Sequence, residues 1–105
     1  MAKTYEQLYS ELTKTEEGKH KLTVIHNALL GGTLDNFDQL FAIIPKSTIQ
    51  ILLGTSFYAF PKKVASPGTF TLEEIDFLAS LFKVDFDVMI AFFRKAQKSK
   101  SKRKA

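Results

Sequence analysis

The apolar residues of this chain recur at helical spacing, and this feature restricts its fold more than any other. Residues three and four positions apart share one face of a helix, whereas alternation with a period of two indicates a strand. Tyr5, Leu8, Tyr9 and Leu12 form the first such stripe. Similar stripes follow as far as Phe93, and strand-like alternation is nearly absent. The pattern predicts an all-α protein, a compact bundle of six or seven short helices. The residues expected in one common core after position 47 are Ile49, Leu53, Phe60, Val64, Ile75, Leu78, Phe82, Met89 and Ile90.

The stretch "IPKSTIQILLGTSFYAFPKKV" predicts two short helices joined by a glycine turn. Ser47 and Gln50, three residues apart, form the pair expected in a capping box at the start of the first helix. Gly54 can adopt the left-handed conformation that closes this helix, and Ser56 can cap the next one. Pro61 falls inside the second helix, where a proline costs about 3 kcal/mol if the helix is regular around it. An irregular first turn would tolerate it.

Local signals mark other helix boundaries as well. Thr15 can cap a helix whose first turn is acidic and which the pair Gly31 and Gly32 ends. In "FTLEEI", Thr71 and Glu74 have the spacing of a capping box. These signals predict a helical hairpin before residue 36 and a well-defined helix after residue 71.

The charges are unevenly distributed. The chain has 105 residues, with 15 Lys or Arg, 11 Asp or Glu and a net charge of +4. Residues 94–105 hold seven basic side chains and no acid, so residues 1–93 carry a net charge of −3. A second acid-free stretch, residues 39–72, contains the lysines Lys46, Lys62 and Lys63. Local basic character favours a polyanionic partner; a solubilising tail with solvated lysines is an equally weighted alternative.

The length predicts one helical domain over residues 1–97, made of an N-terminal helical extension, 1–35, and a core, 37–93. Residues 98–105, "KSKSKRKA", offer no apolar side chain for docking and are predicted to be a disordered basic tail. The start of the chain lacks an apolar secretion segment, and no apolar run has the length of a membrane span. The absence of cysteine fits a reducing compartment. We therefore expect a soluble, cytoplasmic protein without a membrane partner.

Catalytic and metal-binding patterns are weak. The two histidines, His20 and His26, are six residues apart and do not share a helical face, and His26 lies on an apolar stripe. The paired acids Glu16–Glu17 and Glu73–Glu74 lie where the helix dipole favours negative charge. No metal site, no cofactor and no enzymatic activity are expected.

The pieces "IQILLGTS", "FYAFPKKV", "ASPGTF", "LEEIDFLASLFKV" and "DFDVMIAFF" follow one another in the order of a known DNA-binding fold. Over about residues 37–93 the chain resembles the lambda-repressor-like (Cro/XRE-type) helix-turn-helix family. Gly54 matches the turn glycine, Phe60 the buried aliphatic residue of the recognition helix, and Ala79 the small residue of the fourth helix. The second half, "FTLEEIDFLASLFKVD", is the closer fit.

The resemblance implies a small DNA-binding transcriptional regulator, with a first helix at 47–53 and a recognition helix at 56–64 in the major groove of double-stranded DNA. A homodimer is compatible with this interpretation. Lysines and the basic tail would contact phosphates. The residues expected to contact DNA are Lys46, Ser47, Thr55, Ser56, Phe57, Tyr58, Lys62, Lys63, Lys98, Lys100, Lys102, Arg103 and Lys104.

The chain also departs from the family pattern. Gln50 stands where the family usually has alanine, and Pro61 interrupts the predicted recognition helix. The predicted groove-facing residues also lack Arg, Asn and Gln, the usual readers of base edges. The alternative is therefore a helical protein–protein interaction module that kept the fold and offers Phe57 and Tyr58 to a protein partner.

Overall fold

A computed structural model describes residues 4–104 of the chain, with side chains described for residues 4–98. This part of the chain is helical and holds no strand, as the apolar spacing predicts. The elements are α1 (Tyr5–Lys14), α2 (Glu16–Gly31), α3 (Phe37–Ile43), α4 (Lys46–Leu53), α5 (Ala59–Ala65), a 3-10 turn (Pro67–Thr69), α6 (Leu72–Phe82) and α7 (Phe86–Lys104). Over residues 4–104, no helix is both long enough and apolar enough to cross a membrane.

The helices α1 and α2 form a tight hairpin. The Thr15 side chain accepts the Gly18 amide at 3.0 Å and caps α2, as predicted. Gly18 is buried at the contact, and a Cβ atom there would lie 2.0 Å from the Glu11 carbonyl oxygen and 2.5 Å from the Leu12 Cα. The close approach of the two helices therefore requires glycine at position 18.

This hairpin is part of the main core rather than an appendage to it. The helix α1 packs against α4, and α2 packs against both α6 and α7. Leu8, Leu12, Ile25 and Leu29 are buried in the same hydrophobic cluster as the rest of the chain. The predicted N-terminal extension thus buries core surface together with residues 37–93.

An aromatic cluster holds the second half together. The ring of Phe37 in α3 lies 5.6 Å from Phe70, 5.2 Å from Phe92 and 5.4 Å from Phe93, measured between centroids. Phe60 in α5 is 1% exposed and joins the cluster through Phe70, at 6.2 Å. Phe37 stacks on Phe70, whereas the other three pairs meet edge to face, and both arrangements add to the stabilisation that burial gives.

Most of the core expected between α4 and α7 is confirmed. The expected core residues found buried are Ile49, Phe60, Val64, Ile75, Leu78, Phe82 and Met89. Leu53 and Ile90 are only partly buried, whereas Leu52 and Phe92 are buried in the core. On α7 the inward stripe is Met89, Phe92, Phe93 and Ala96. The helices carry more apolar residues than one face of a helix can bury, so the packing of neighbouring helices determines which of these residues are buried.

The second half of the chain ends in a helical hairpin. The predicted capping box at the start of α6 is confirmed, since the Thr71 hydroxyl and the Glu74 side chain each accept a hydrogen bond from the other residue's backbone amide.

The last helix, α7, extends to Lys104. The loss of apolar residues in the sequence suggested an earlier end, near Gln97. Lysine and arginine have good helix propensity, and cations favour the last turn of a helix. Disorder of the 98–105 segment in solution stays a prediction.

Candidate nucleic-acid interface

The first helix of the predicted helix-turn-helix begins one residue earlier than expected. Pro45 occupies the N-cap position of α4, and no side chain caps this helix. The capping box predicted for Ser47 and Gln50 is therefore wrong, because Ser47 already lies inside the first turn. The Gln50 side chain instead donates from Nε2 to the Thr55 carbonyl oxygen at 3.1 Å. This bond braces the turn that follows α4.

The second helix begins later than expected, at Ala59 instead of Ser56. The Ser56 hydroxyl accepts the Ala59 amide at 3.0 Å, so Ser56 caps an irregular turn ahead of the helix. A regular helix from Ser56 would need an amide at position 61 to bond the Phe57 carbonyl, and Pro61 has none. The helix predicted over 56–64 is instead Ala59–Ala65, and Pro61 lies in its first turn, where an absent amide costs little.

The turn between α4 and α5 is closed by Gly54, whose φ of 70° is the left-handed conformation predicted for it. Ile49, Phe60 and Val64 are buried on the two helices, as expected. However, α4 packs chiefly on α1, and α5 packs chiefly on the 3-10 turn Pro67–Thr69. Each helix therefore has its largest contact with another element rather than with its partner in the predicted motif.

The predicted DNA-contacting residues differ in exposure. Those exposed around α4 and α5 are Lys46, Ser47, Ser56, Phe57, Tyr58 and Lys62. Phe57 is 71% and Tyr58 is 81% exposed, and their rings meet edge to face at 5.6 Å. Pro61 and Lys62 follow at a spacing of four residues and are also exposed. We refer to Phe57, Tyr58, Pro61 and Lys62 together as the α5 face.

Lys63 does not share this exposure. Its ammonium group lies 2.7 Å from the Glu74 carboxylate, and its side chain is 21% exposed. The same ammonium group lies 5.7 Å from the centre of the Phe70 ring. Lys63 is therefore held against the protein surface by an ion pair and a cation–π contact, although its sequence position suggested a phosphate contact.

Glu74 connects three elements at the edge of the α5 face. One carboxylate oxygen accepts from Lys63 at 2.7 Å and from the Thr71 amide at 2.8 Å. The other accepts from the Thr55 hydroxyl at 3.0 Å. Burial raises the pKa of Glu74, but the bonds from Lys63, Thr71 and Thr55 outweigh burial and hold the pKa below its ordinary value. Sequence reasoning identified Glu74 as a capping residue and missed its other two partners, which no local pattern indicates.

The predicted contacts at the C-terminus fall mostly outside the described side chains. Lys98 is exposed on α7. The side chains of Lys100, Lys102, Arg103 and Lys104 lie outside the described residues.

Comparison with protein-family models, with curated proteins and with solved structures finds no match to this chain.

Proposed function

We propose that this chain is a small DNA-binding protein that presents its α5 face to double-stranded DNA. One observation carries the proposal: Tyr58 and Lys62 lie one helical turn apart on an exposed face, within a stretch that contains no acidic residue between positions 39 and 72. An exposed cation next to exposed aromatic rings suits a partner that offers both phosphates and apolar surface.

In this proposal, Lys62 and Lys46 contact phosphates, and the basic residues from Lys98 to Lys104 add attraction that does not depend on base sequence. Lys63 contributes little, because its ammonium group is already paired with Glu74. Phe57 and Tyr58 supply apolar contact with sugars and base edges. The helix-turn-helix family and a role in transcriptional regulation are the parts of the proposal that rest on the sequence resemblance alone.

The basic residues predict a salt dependence that can be measured. The logarithm of the association constant should fall linearly with the logarithm of salt concentration, by about 0.9 for each phosphate contacted. Fluorescence anisotropy of a labelled duplex of arbitrary sequence, titrated at several salt concentrations, measures this slope. Lys62→Ala should weaken binding and flatten the slope, while Lys14→Ala, an exposed lysine at the end of α1, serves as the matched control. Equal effects of the two variants would contradict the proposal.

A second candidate function is supported by the exposure of Phe57 and Tyr58 itself. Two adjacent aromatic rings, 71% and 81% exposed, are typical of a surface that another protein covers. In this interpretation the α5 face is a protein-docking surface, and the basic residues serve solubility. Analytical ultracentrifugation of the protein and of its Phe57→Ser/Tyr58→Ser variant tests one form of this idea, self-association. A dimer that the double substitution dissociates, in a protein that does not bind DNA, would favour the second candidate.

A further inference from the structure

A pocket of about 400 Å³ lies between the α1–α2 hairpin and the end of α6. Its lining residues are Tyr9, Thr13, Lys19, Leu22, Thr23, His26, Ser80, Leu81, Phe82 and Lys83. None of them belongs to α4 or α5, so the pocket is separate from the α5 face. Its volume falls in the usual range of small-molecule sites, roughly 300–1,000 Å³.

The lining contains cations and hydroxyl groups and no carboxylate. Among the described residues, no acidic side chain pairs with Lys19 or Lys83. Both lysines are exposed at the rim and are available to a ligand. The apolar part of the lining, with Leu22 and Leu81, can contact a hydrocarbon or aromatic group.

His26 is oriented by a bond to the backbone. Its Nδ1 atom lies 3.0 Å from the Phe82 carbonyl oxygen. A carbonyl only accepts, so Nδ1 carries the hydrogen and Nε2 has no partner in the described part of the protein. Two further carbonyls at the end of α6 are also satisfied: Ser80 accepts the Lys83 amide at 3.2 Å, and Ala79 accepts the Val84 amide at 3.0 Å. These bonds reduce the repulsion that a helix C-terminus exerts on an anion.

Lys83 adds a second, independent observation. Its φ of 57° makes it the only residue other than glycine with a positive φ between positions 4 and 104. This position, just after the helix end, is the one that glycine usually occupies, because a side chain is strained there. A strained backbone at a pocket rim is typical of functional sites.

We propose that this pocket binds a small organic anion. Lys19 and Lys83 hold its phosphate or carboxylate group, His26 donates to it from Nε2 when the ring is protonated, and Leu22 and Leu81 contact its apolar part. The proposal does not depend on DNA binding, since it rests on residues remote in sequence from the α5 face.

The two histidines allow a direct test by NMR of the imidazole C–H signals. His20 is exposed on α2 and does not line the pocket, so it is an internal control. Phenyl phosphate, benzoate and inorganic phosphate are titrated into the full chain at constant pH and ionic strength. We expect saturable shifts of the His26 signals with the two organic anions, little change at His20, and at least fivefold weaker binding of inorganic phosphate. Signals of His26 and His20 that move together, or do not saturate, would overturn the proposal.

Lys83→Gly separates a binding role from a structural one. Glycine relieves the strain at positive φ, so the variant should melt at a temperature equal to or above that of the wild type. It should also bind phenyl phosphate at least fivefold more weakly, as should Lys19→Gln. Lys14→Gln, outside the pocket, should bind as the wild type does. If both variants fold normally and still bind phenyl phosphate with wild-type affinity, the assignment of Lys83 and Lys19 to the site is refuted.

Discussion

The ammonium group of Lys63 lies 2.7 Å from the carboxylate of Glu74, and this ion pair joins α5 to the first turn of α6. Lys62, the neighbouring residue, remains exposed. Two adjacent lysines that look equivalent in the sequence are therefore distinct in the folded protein. One is engaged in an intramolecular contact, and the other is free to bind a partner.

This difference predicts unequal effects on DNA binding. Lys62→Ala should reduce the salt-dependence slope by about 0.9, whereas Lys63→Ala should change it much less. Glu74→Gln should release Lys63 and steepen the slope, and adding Lys63→Ala to that variant should cancel the gain. Glu73→Gln, an exposed neighbour that loses the same charge, is the control. If Glu73→Gln and Glu74→Gln steepen the slope equally, Glu74 does not restrain Lys63.

The low pKa of Glu74 predicts how stability depends on pH. A carboxylate whose pKa is lower in the folded state stabilises the fold above the unfolded pKa, and the gain is lost as pH falls through the folded pKa. Glu74→Gln should therefore cost about 1 kcal/mol at neutral pH, since the pair is partly screened by solvent. The difference from the wild type should shrink as the pH falls below the ordinary glutamate pKa. Urea denaturation at a series of pH values measures it, and a pH-independent difference would be inconsistent with this account.

Pro61→Ala tests why α5 begins at Ala59. The new amide can bond the Phe57 carbonyl and extend the helix back toward the Ser56 cap. The unfolded chain also gains freedom, so stability should change by less than about 1 kcal/mol. The NMR Cα shifts of Phe57 and Tyr58 should move toward helical values. Unchanged shifts would mean that some other contact sets the start of the helix.

Phe60 should contribute to the stability of the fold, whereas Tyr58 should not. Phe60→Ala should reduce the free energy of unfolding by about 3–5 kcal/mol, because it removes a buried ring from the aromatic cluster. Tyr58→Ala should change it by no more than about 0.5 kcal/mol, since the ring is exposed. Denaturant unfolding compares the two variants. A large loss of stability in Tyr58→Ala would show that this ring stabilises the fold and is not simply an exposed side chain available to a partner.

Two glycines of α2 provide a matched pair. Gly18→Ala should destabilise the protein by about 1–3 kcal/mol or more, because its Cβ would collide with the backbone of α1. Gly31→Ala has no atom within 4 Å of its Cβ and should stabilise by about 0.5 kcal/mol through helix propensity. Thermal melting followed by circular dichroism distinguishes them. Similar melting temperatures for the two variants would indicate that α1 and α2 can separate without penalty.

The sequence alone determined the helical class and several helix boundaries, because those signals act over three or four residues. The caps at Thr15 and Thr71 and the left-handed turn at Gly54 were all predictable in this way. The start of α5 was mispredicted because two local signals conflict. The cap at Ser56 favours a helix that begins there, whereas the missing amide of Pro61 favours a later start, and no local rule gives their relative strength.

Tertiary structure decided the rest, because distant residues meet only after the helices have packed. His26 and the Phe82 carbonyl are 56 positions apart, and the Lys63–Glu74 pair spans 11. Phe92 is buried more fully than Ile90 because α7 packs against α6 and brings Phe92 to 5.2 Å from Phe37 of α3. Helical spacing marks which side chains can face inward, but only the packed neighbours determine which are buried and which cation stays free.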